Sequence, residues 1–245
     1  DPLVQGGLWR FAIPSPDTYS HSISAVGGFT EAELRLSGRQ LDVEDWLING
    51  LGRHIVVYND GGTVVWEGFV DSLEAQLGAL TVTRGPLLQV VNRTYLIYST
   101  VDTTVNPPLV GGRAVTATLD DAASQALYGI VQALLSGGGM AAADAAQAAA
   151  TYLTENAYPM TSQTLSLGSG GAPQLTISCR GYVAWLEAYI YNQTAASGTV
   201  TADAKILAAL AANPNSAWLV LDTTGVTANA LAVPAYEDGD NTAWN

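Results

Sequence analysis

The chain has one cysteine, one lysine and two histidines among its 245 residues, and only 13% of its side chains are charged. A single thiol, Cys179, excludes an internal disulfide and any cysteine-based metal cluster. His21 and His54 lack the spacing of a metal-ligand pair, and no HExxH string occurs. Cationic side chains are scarce: Lys205 and eight arginines (10, 35, 39, 53, 84, 93, 113 and 180) stand against 22 carboxylates, for a net charge of -13. A nucleic-acid binder needs clustered cations to displace the counterions around phosphate, so direct binding to DNA or to an anionic membrane is not expected. No run approaches the roughly 18 apolar residues of a membrane span. DPLVQGGLWRF at residues 1–11 lacks the basic start and apolar run of a signal peptide. A soluble protein without membrane insertion is expected.

What the chain does have is apolar material, at 48% of residues, enough for a sizeable core. With so few charges, Ser, Thr, Asn, Gln, Gly and Ala are left to form the surface. That is the surface of a subunit covered by neighbours in an assembly, although a neutral extracellular domain would share it.

The first hundred residues read mainly as strands. ELRL (33–36) alternates, LDVEDWLINGLG (41–52) places Val43, Trp46, Leu47 and Ile48 near helical spacing, and HIVVY (54–58) and TVVWEGFV (63–70) flank Asn59-Asp60-Gly61-Gly62. Asn, Asp and Gly tolerate the positive φ of tight turns, which makes this a hairpin. ALTVTRG (79–85) and QVVNRTYLIYS (89–99) continue the pattern. The expected fold is α+β: a β-rich small barrel or sandwich over residues 1–101, a Pro/Gly-rich connector over 102–118, and residues 119–245 forming a helical hairpin plus a small mixed α+β unit.

In the hairpin, a helix opening at Leu119-Asp120-Asp121 carries Leu127, Ile130, Val131, Leu134 and Leu135 on one face and stops at Gly137-Gly138-Gly139. An Ala-rich helix follows over about 140–156. TLSL (164–167), QLTISC (174–179) and AWLVLD (217–222) read as strands, ADAKILAALAAN (202–213) as a helix, and GYVAWLEAYIYN (181–192) fits either state. The closing YEDGDNTAWN offers Asp240 or Asn241 as an N-cap and Trp244 as the first buried position of a helix, as though an element were cut off at its start. The chain begins at Asp1 rather than Met, as a processed product or a part of a longer chain would. No fixed-period repeat is present.

Candidate sites are weak. Glu67 with Asp71, or Glu44 with Asp45, could act as paired carboxylates in glycoside hydrolysis, but adjacent helical residues point apart and polar strand positions ordinarily face solvent. GSGGAP (168–173) lacks the GK[ST] ending of a phosphate loop, and SGGGMAAADA (136–145) has no strand before its glycines. Glu237-Asp238-Gly239-Asp240-Asn241 gathers oxygen donors without the distal carboxylate of a calcium loop. Asn92 and Asn192 sit in glycosylation-type triplets, which mean little without a secretory signal. Cys179, in an alternating apolar run, reads as a buried structural thiol. Trp9, Trp46, Trp66, Trp185, Trp218 and Trp244 are candidate core or interface anchors. No catalytic residue, cofactor site or metal site is assigned.

Several runs resemble one family. GFTEAELRL (28–36), DWLINGLGRHIVVYNDGGTVVWEGFV (45–70) and LTVTRGPLLQVVNRTYLIYS (80–99), followed by SQALYGIVQALLSGG (124–138), ATYLTENAYP (150–159) and LTISCRGYVAWL (175–186), are similar in order and spacing to tail-tip or baseplate hub proteins of long-tailed bacteriophages. The resemblance implies a small-barrel virion protein, assembled in the host cytoplasm. It also implies a homo-oligomeric ring, commonly a trimer with a hexamer as the other arrangement, joining the tail tube to the tip beside other tail proteins. It implies no catalytic residues. Hub proteins of that family continue into further domains, whereas this chain stops at Asn245. Two other classes compete: a receptor- or carbohydrate-binding module, whose aromatic faces would stack on sugars, and a glycan-degrading enzyme using the carboxylates above.

Overall fold

The Asn59–Gly62 turn closes as its residues require. Asn59 Oδ1 accepts the Thr63 N–H at 2.9 Å, and Gly62 takes φ +77°, a region that Cβ-bearing residues rarely enter. The hairpin belongs to a computed structural model that describes residues 16–25, 28–102, 104–166, 171–187, 190–191, 198–212, 226–234 and 241–242. The chain is α+β and strand-rich, and it divides into two compact units, Asp1–Ala184 and Trp185–Asn245.

In the first unit, strands β1 (Thr18–Ser24) and β2 (Gly28–Ser37) precede helix α1 (Gln40–Asn49), then β3 (His54–Tyr58), β4 (Val64–Leu77) and β5 (Leu80–Arg84). Next come β6 (Arg93–Asp102), β7 (Leu109–Val115), β8 (Leu119–Asp120), α2 (Ala122–Tyr128), β9 (Gln132–Met140), α3 (Ala142–Asn156), β10 (Thr161–Leu165) and β11 (Gln174–Arg180). A short α4 (Val183–Glu187) spans the boundary between the units.

Seven of these strands form one antiparallel sheet, with β1, β2, β11 and β4 side by side. β3 and β5 share the far edge of β4, and β10 lies beyond β5. Among the described residues the ladder is open, ending on β1 at one side and on β3 and β10 at the other. Alternate side chains point to one face, as strand geometry demands. Ala32, Leu34, Ile55, Trp66, Val70, Leu73, Leu175, Ile177 and Cys179 meet there beneath α1, which contributes Val43 with Trp46 and Leu47 beside it. Trp66 and Ile177 are fully buried, so the core reading of Trp66 holds.

The second sheet is centred on β6. β7 and β8 lie antiparallel along one edge and β9 lies parallel along the other. α3 covers one face, where Ala145 and Ala149 are fully buried near Leu96 and Tyr98. Alanine there lets the helix backbone approach the sheet closely.

Three expectations are corrected. The helix expected from Leu119 through Leu135 is only Ala122–Tyr128, capped by the Asp121 carboxylate on the Ser124 N–H and ended at Gly129, whose φ is +75°. Gln132–Met140 continues as β9, so Leu134 and Leu135 fall on opposite faces of a strand and no helical hairpin forms. Hydrogen bonding to β6 decides this, since the strand pairs along nearly its whole length. The boundary expected at residue 101 also does not divide the molecule. β6 belongs to the second sheet, the supposed connector 102–118 contains β7, and β10 and β11 return from residues 161–180 to the first sheet.

The second unit has β12 (Ile190–Tyr191), β13 (Thr199–Thr201), α5 (Ala202–Ala212), β14 (Ala232–Pro234) and β15 (Asn241–Thr242), with β12 paired to β15 and β13 to β14. The helix expected over 202–213 is therefore present as α5. Asn241 and Thr242 pair as a strand rather than opening a helix. The strand expected over 217–222, the residues Trp9, Trp218 and Trp244, Asn192, and most of the Glu237–Asn241 segment lie outside the described residues.

Candidate functional site

One register row crosses four strands of the first sheet on the face opposite the core. Glu31 of β2 pairs with Arg180 of β11, Arg180 with Phe69 of β4, and Phe69 with His54 of β3. Glu67, two residues from Phe69 on β4, shares this face, and its Oε1 lies 2.9 Å from His54 Nε2. The Tyr182 ring stands 5.9 Å from that of Phe69 and 5.7 Å from that of His54, burying Phe69 completely. Burial and the Glu67 carboxylate both push the Tyr182 hydroxyl up, so it stays neutral at physiological pH.

Asp71 ends the row through an irregularity. Ser178 faces Ser72 and Cys179 faces Val70, which leaves Asp71 as the extra residue of a bulge. Its carboxylate is buried at 6% exposure, accepts the Leu88 N–H at 3.0 Å, and lies 3.8 Å from Arg180 Nε. Burial outweighs these partners and pushes its acid strength down, raising the pKa above the ordinary carboxylate value. Arg180 is thus held between the buried Asp71 and the exposed Glu31, whose Oε1 accepts from its Nη1.

The arrangement separates the carboxylates that sequence had paired. Glu67 is engaged by His54 and Asp71 by Leu88 and Arg180, and their backbones stand about 13 Å apart along the strand, at roughly 3.3 Å per residue. Glu44 and Asp45 on α1 also part company. Glu44 accepts from Gln40 at 2.7 Å and Asp45 from Asn49 at 2.8 Å, each one turn along its own side of the helix. His21 stacks on Tyr19 with ring centroids 5.3 Å apart, on β1. Among the described residues, no three His, Cys, Asp or Glu side chains gather in a way that could hold a metal ion.

Cys179 is 2% exposed, and burial together with the neighbouring Asp71 carboxylate pushes its thiol up to about 12. A structural thiol results, since the thiolate is the reactive form. Asn92 is fully buried with its amide bonded on every side, so the triplet at 92–94 presents no acceptor to solvent. The glycines of 136–139 lie in β9 and turn no phosphate loop; those of 168–170 lie outside the described residues.

Sequence reasoning missed the pairing of Arg180 with Glu31 and Asp71, and the cover that Tyr182 places over Phe69. Glu31 and Arg180 stand 149 positions apart, and only the sheet order brings them together. Most of this face is an ion-pair network. Its exposed pairs contribute little, about 0–1 kcal/mol each. No protein-family model, curated protein or solved structure matches the chain.

Proposed function

We propose that the chain is a structural subunit of a bacteriophage tail tip or baseplate hub, assembled in the host cytoplasm into a homo-oligomeric ring that joins the tail tube to the tip. A trimer is favoured over a hexamer. In this reading the seven-stranded sheet is the barrel- or sandwich-like unit of the subunit, and other tail proteins bind the ring above and below.

One observation supports the reading beyond the resemblance: an apolar sheet edge that stands in water in the single chain. On β7, Leu109 is 65%, Val110 62% and Val115 57% exposed. A strand edge with apolar side chains pairs readily with another chain, and monomeric proteins blunt such edges with charges, proline or a covering element. β7 carries one charge, Arg113. In a chain with so few charged side chains, that edge is the kind of surface a neighbouring subunit covers.

Two measurements test the proposal. Purified protein should form rings of defined subunit number under negative stain. Mass spectrometry of fractionated phage particles encoding the chain should find it in the tail fraction. Its absence from purified particles would overturn the reading.

A further inference from the structure

Three pairs in the chain set a carboxamide or carboxyl side chain directly before glycine: Asn49–Gly50, Asp60–Gly61 and Asp238–Gly239. Glycine carries no Cβ beside its own nitrogen, so that nitrogen can reach the side-chain carbonyl carbon of the residue before it. An amide is a better electrophile than a carboxylate, so local sequence alone ranks Asn49 first. Asp238–Gly239 lies outside the described residues.

The fold reverses that ranking. Asn49 is the last residue of α1, and the Gly50 N–H donates to the Trp46 carbonyl at 2.7 Å. The Asn49 amide donates to Asp45 Oδ1 at 2.8 Å, which holds it back along the helix. Gly50 is buried, and its carbonyl accepts the Arg53 N–H at 3.1 Å. Arg84 Nη1 pins the same helix end, donating to the Leu47 carbonyl at 3.0 Å and to that of Ile48.

Asp60–Gly61 has none of these restraints. Both residues are exposed, at the tip of the turn between β3 and β4. The turn is closed around them, by the Gly62 N–H on the Asn59 carbonyl and the Thr63 N–H on Asn59 Oδ1, each at 2.9 Å. The Gly61 N–H and the Asp60 carboxylate have no hydrogen-bond or ion-pair partner among the described residues.

We propose that Asp60 is a site of spontaneous isoaspartate formation and that the fold protects Asn49 from the same chemistry. The Gly61 nitrogen attacks Asp60 Cγ, a C–N bond forms, and the carboxyl hydroxyl leaves with the Gly61 proton as water. The five-membered succinimide then takes up one water at either carbonyl. Opening at Cγ restores aspartate. Opening at the main-chain carbonyl routes the chain through Cβ and Cγ and frees the former main-chain carbonyl as a carboxylate. No electrons are transferred, and the mass is unchanged. The site lies within one chain, so it stands whether or not the ring forms.

The test ages the full-length protein in oxygen-18 water at neutral pH, native and in guanidinium chloride, and maps its tryptic peptides. Asp60 falls in the peptide His54–Arg84 and Asn49 in Gln40–Arg53. Electron-transfer fragmentation locates isoaspartate and the oxygen-18 that ring opening adds. In the native protein Asp60 should gain both ahead of Asn49, whose loss of ammonia should be slowed about tenfold or more relative to denaturant. In guanidinium chloride Asn49 should lead. Gly61→Ala sets a methyl group beside the attacking nitrogen and should remove most of the isoaspartate at position 60. Two native-state results would overturn the inference: no isoaspartate at Asp60 by the time Asn49 has reacted fully in denaturant, or Asn49 reacting at least as fast as Asp60. Isoaspartate at position 60 undiminished in the Gly61→Ala protein would overturn it as well.

Discussion

Asn92 and Val131 are joined twice: the Asn92 N–H donates to the Val131 carbonyl at 3.0 Å, and the Val131 N–H donates to Asn92 Oδ1 at 2.8 Å. The Asn92 amide nitrogen then donates to the Gly129 carbonyl at 2.7 Å and to Ser124 Oγ at 3.2 Å. Ser124 Oγ in turn donates to the Ala157 carbonyl, which links the start of β6 to α2 and to the end of α3.

Removing this amide leaves the Val131 N–H and the Gly129 carbonyl buried without partners. Each such group costs about 1–3 kcal/mol. Asn92→Ala should therefore lose about 3 kcal/mol or more of stability, read as a lower midpoint in urea. A loss under about 1 kcal/mol would show that water reaches the site.

Asp71 should make stability depend on pH in the direction opposite to an ordinary surface carboxylate. Its folded pKa is raised by burial, so between the ordinary carboxylate value and the raised one the native state holds more protons than the unfolded chain. Stability then falls as pH rises through that window, because the slope follows the protons bound by the unfolded state minus those bound by the native state. Asp71→Asn should flatten that decline while keeping the Leu88 N–H satisfied. The check is a set of urea titrations at successive pH values on both proteins, and an identical decline in the variant would rule out Asp71 as its source.

Gly181 is a position where only hydrogen fits. A Cβ there would lie 1.7 Å from the Phe29 carbonyl oxygen, a backbone atom that cannot swing aside. Gly181→Ala should destabilise by about 1–3 kcal/mol, the usual cost of overpacking. Gly112→Ala, where nothing lies within 4 Å of the added carbon, should stay within about 0.5 kcal/mol. Thermal melts of the two proteins side by side make the comparison.

Cys179 should be inert in the native protein. With its thiol buried and pushed up to about 12, alkylation at pH 8 should proceed only as fast as the protein opens, and should run to completion in denaturant. Rapid native labelling would contradict the burial.

Short-range chemistry was legible in the sequence. The Asn59–Gly62 hairpin, α1 and the alternating run of β11 were all visible, because turn residues and local period specify them. What was not legible depends on partners far along the chain. Ile130, Val131, Leu134 and Leu135 recur at helical spacing, and the pairing that makes Gln132–Met140 a strand is supplied by β6, about forty residues earlier. Arg180 read as one scattered cation among several, and it became the centre of an ion-pair network only when β11 inserted between β2 and β4. The same insertion sets Asp71 in a bulge, where its carboxylate meets the Leu88 N–H and Arg180 rather than Glu67.

The central claim is assembly, and the most direct measurement is the absolute molar mass of the purified chain by light scattering after size-exclusion chromatography over a hundredfold range of concentration. The account predicts one discrete homo-oligomer, a trimer before a hexamer, persisting as the protein is diluted. The mass of a single chain at every concentration would contradict it.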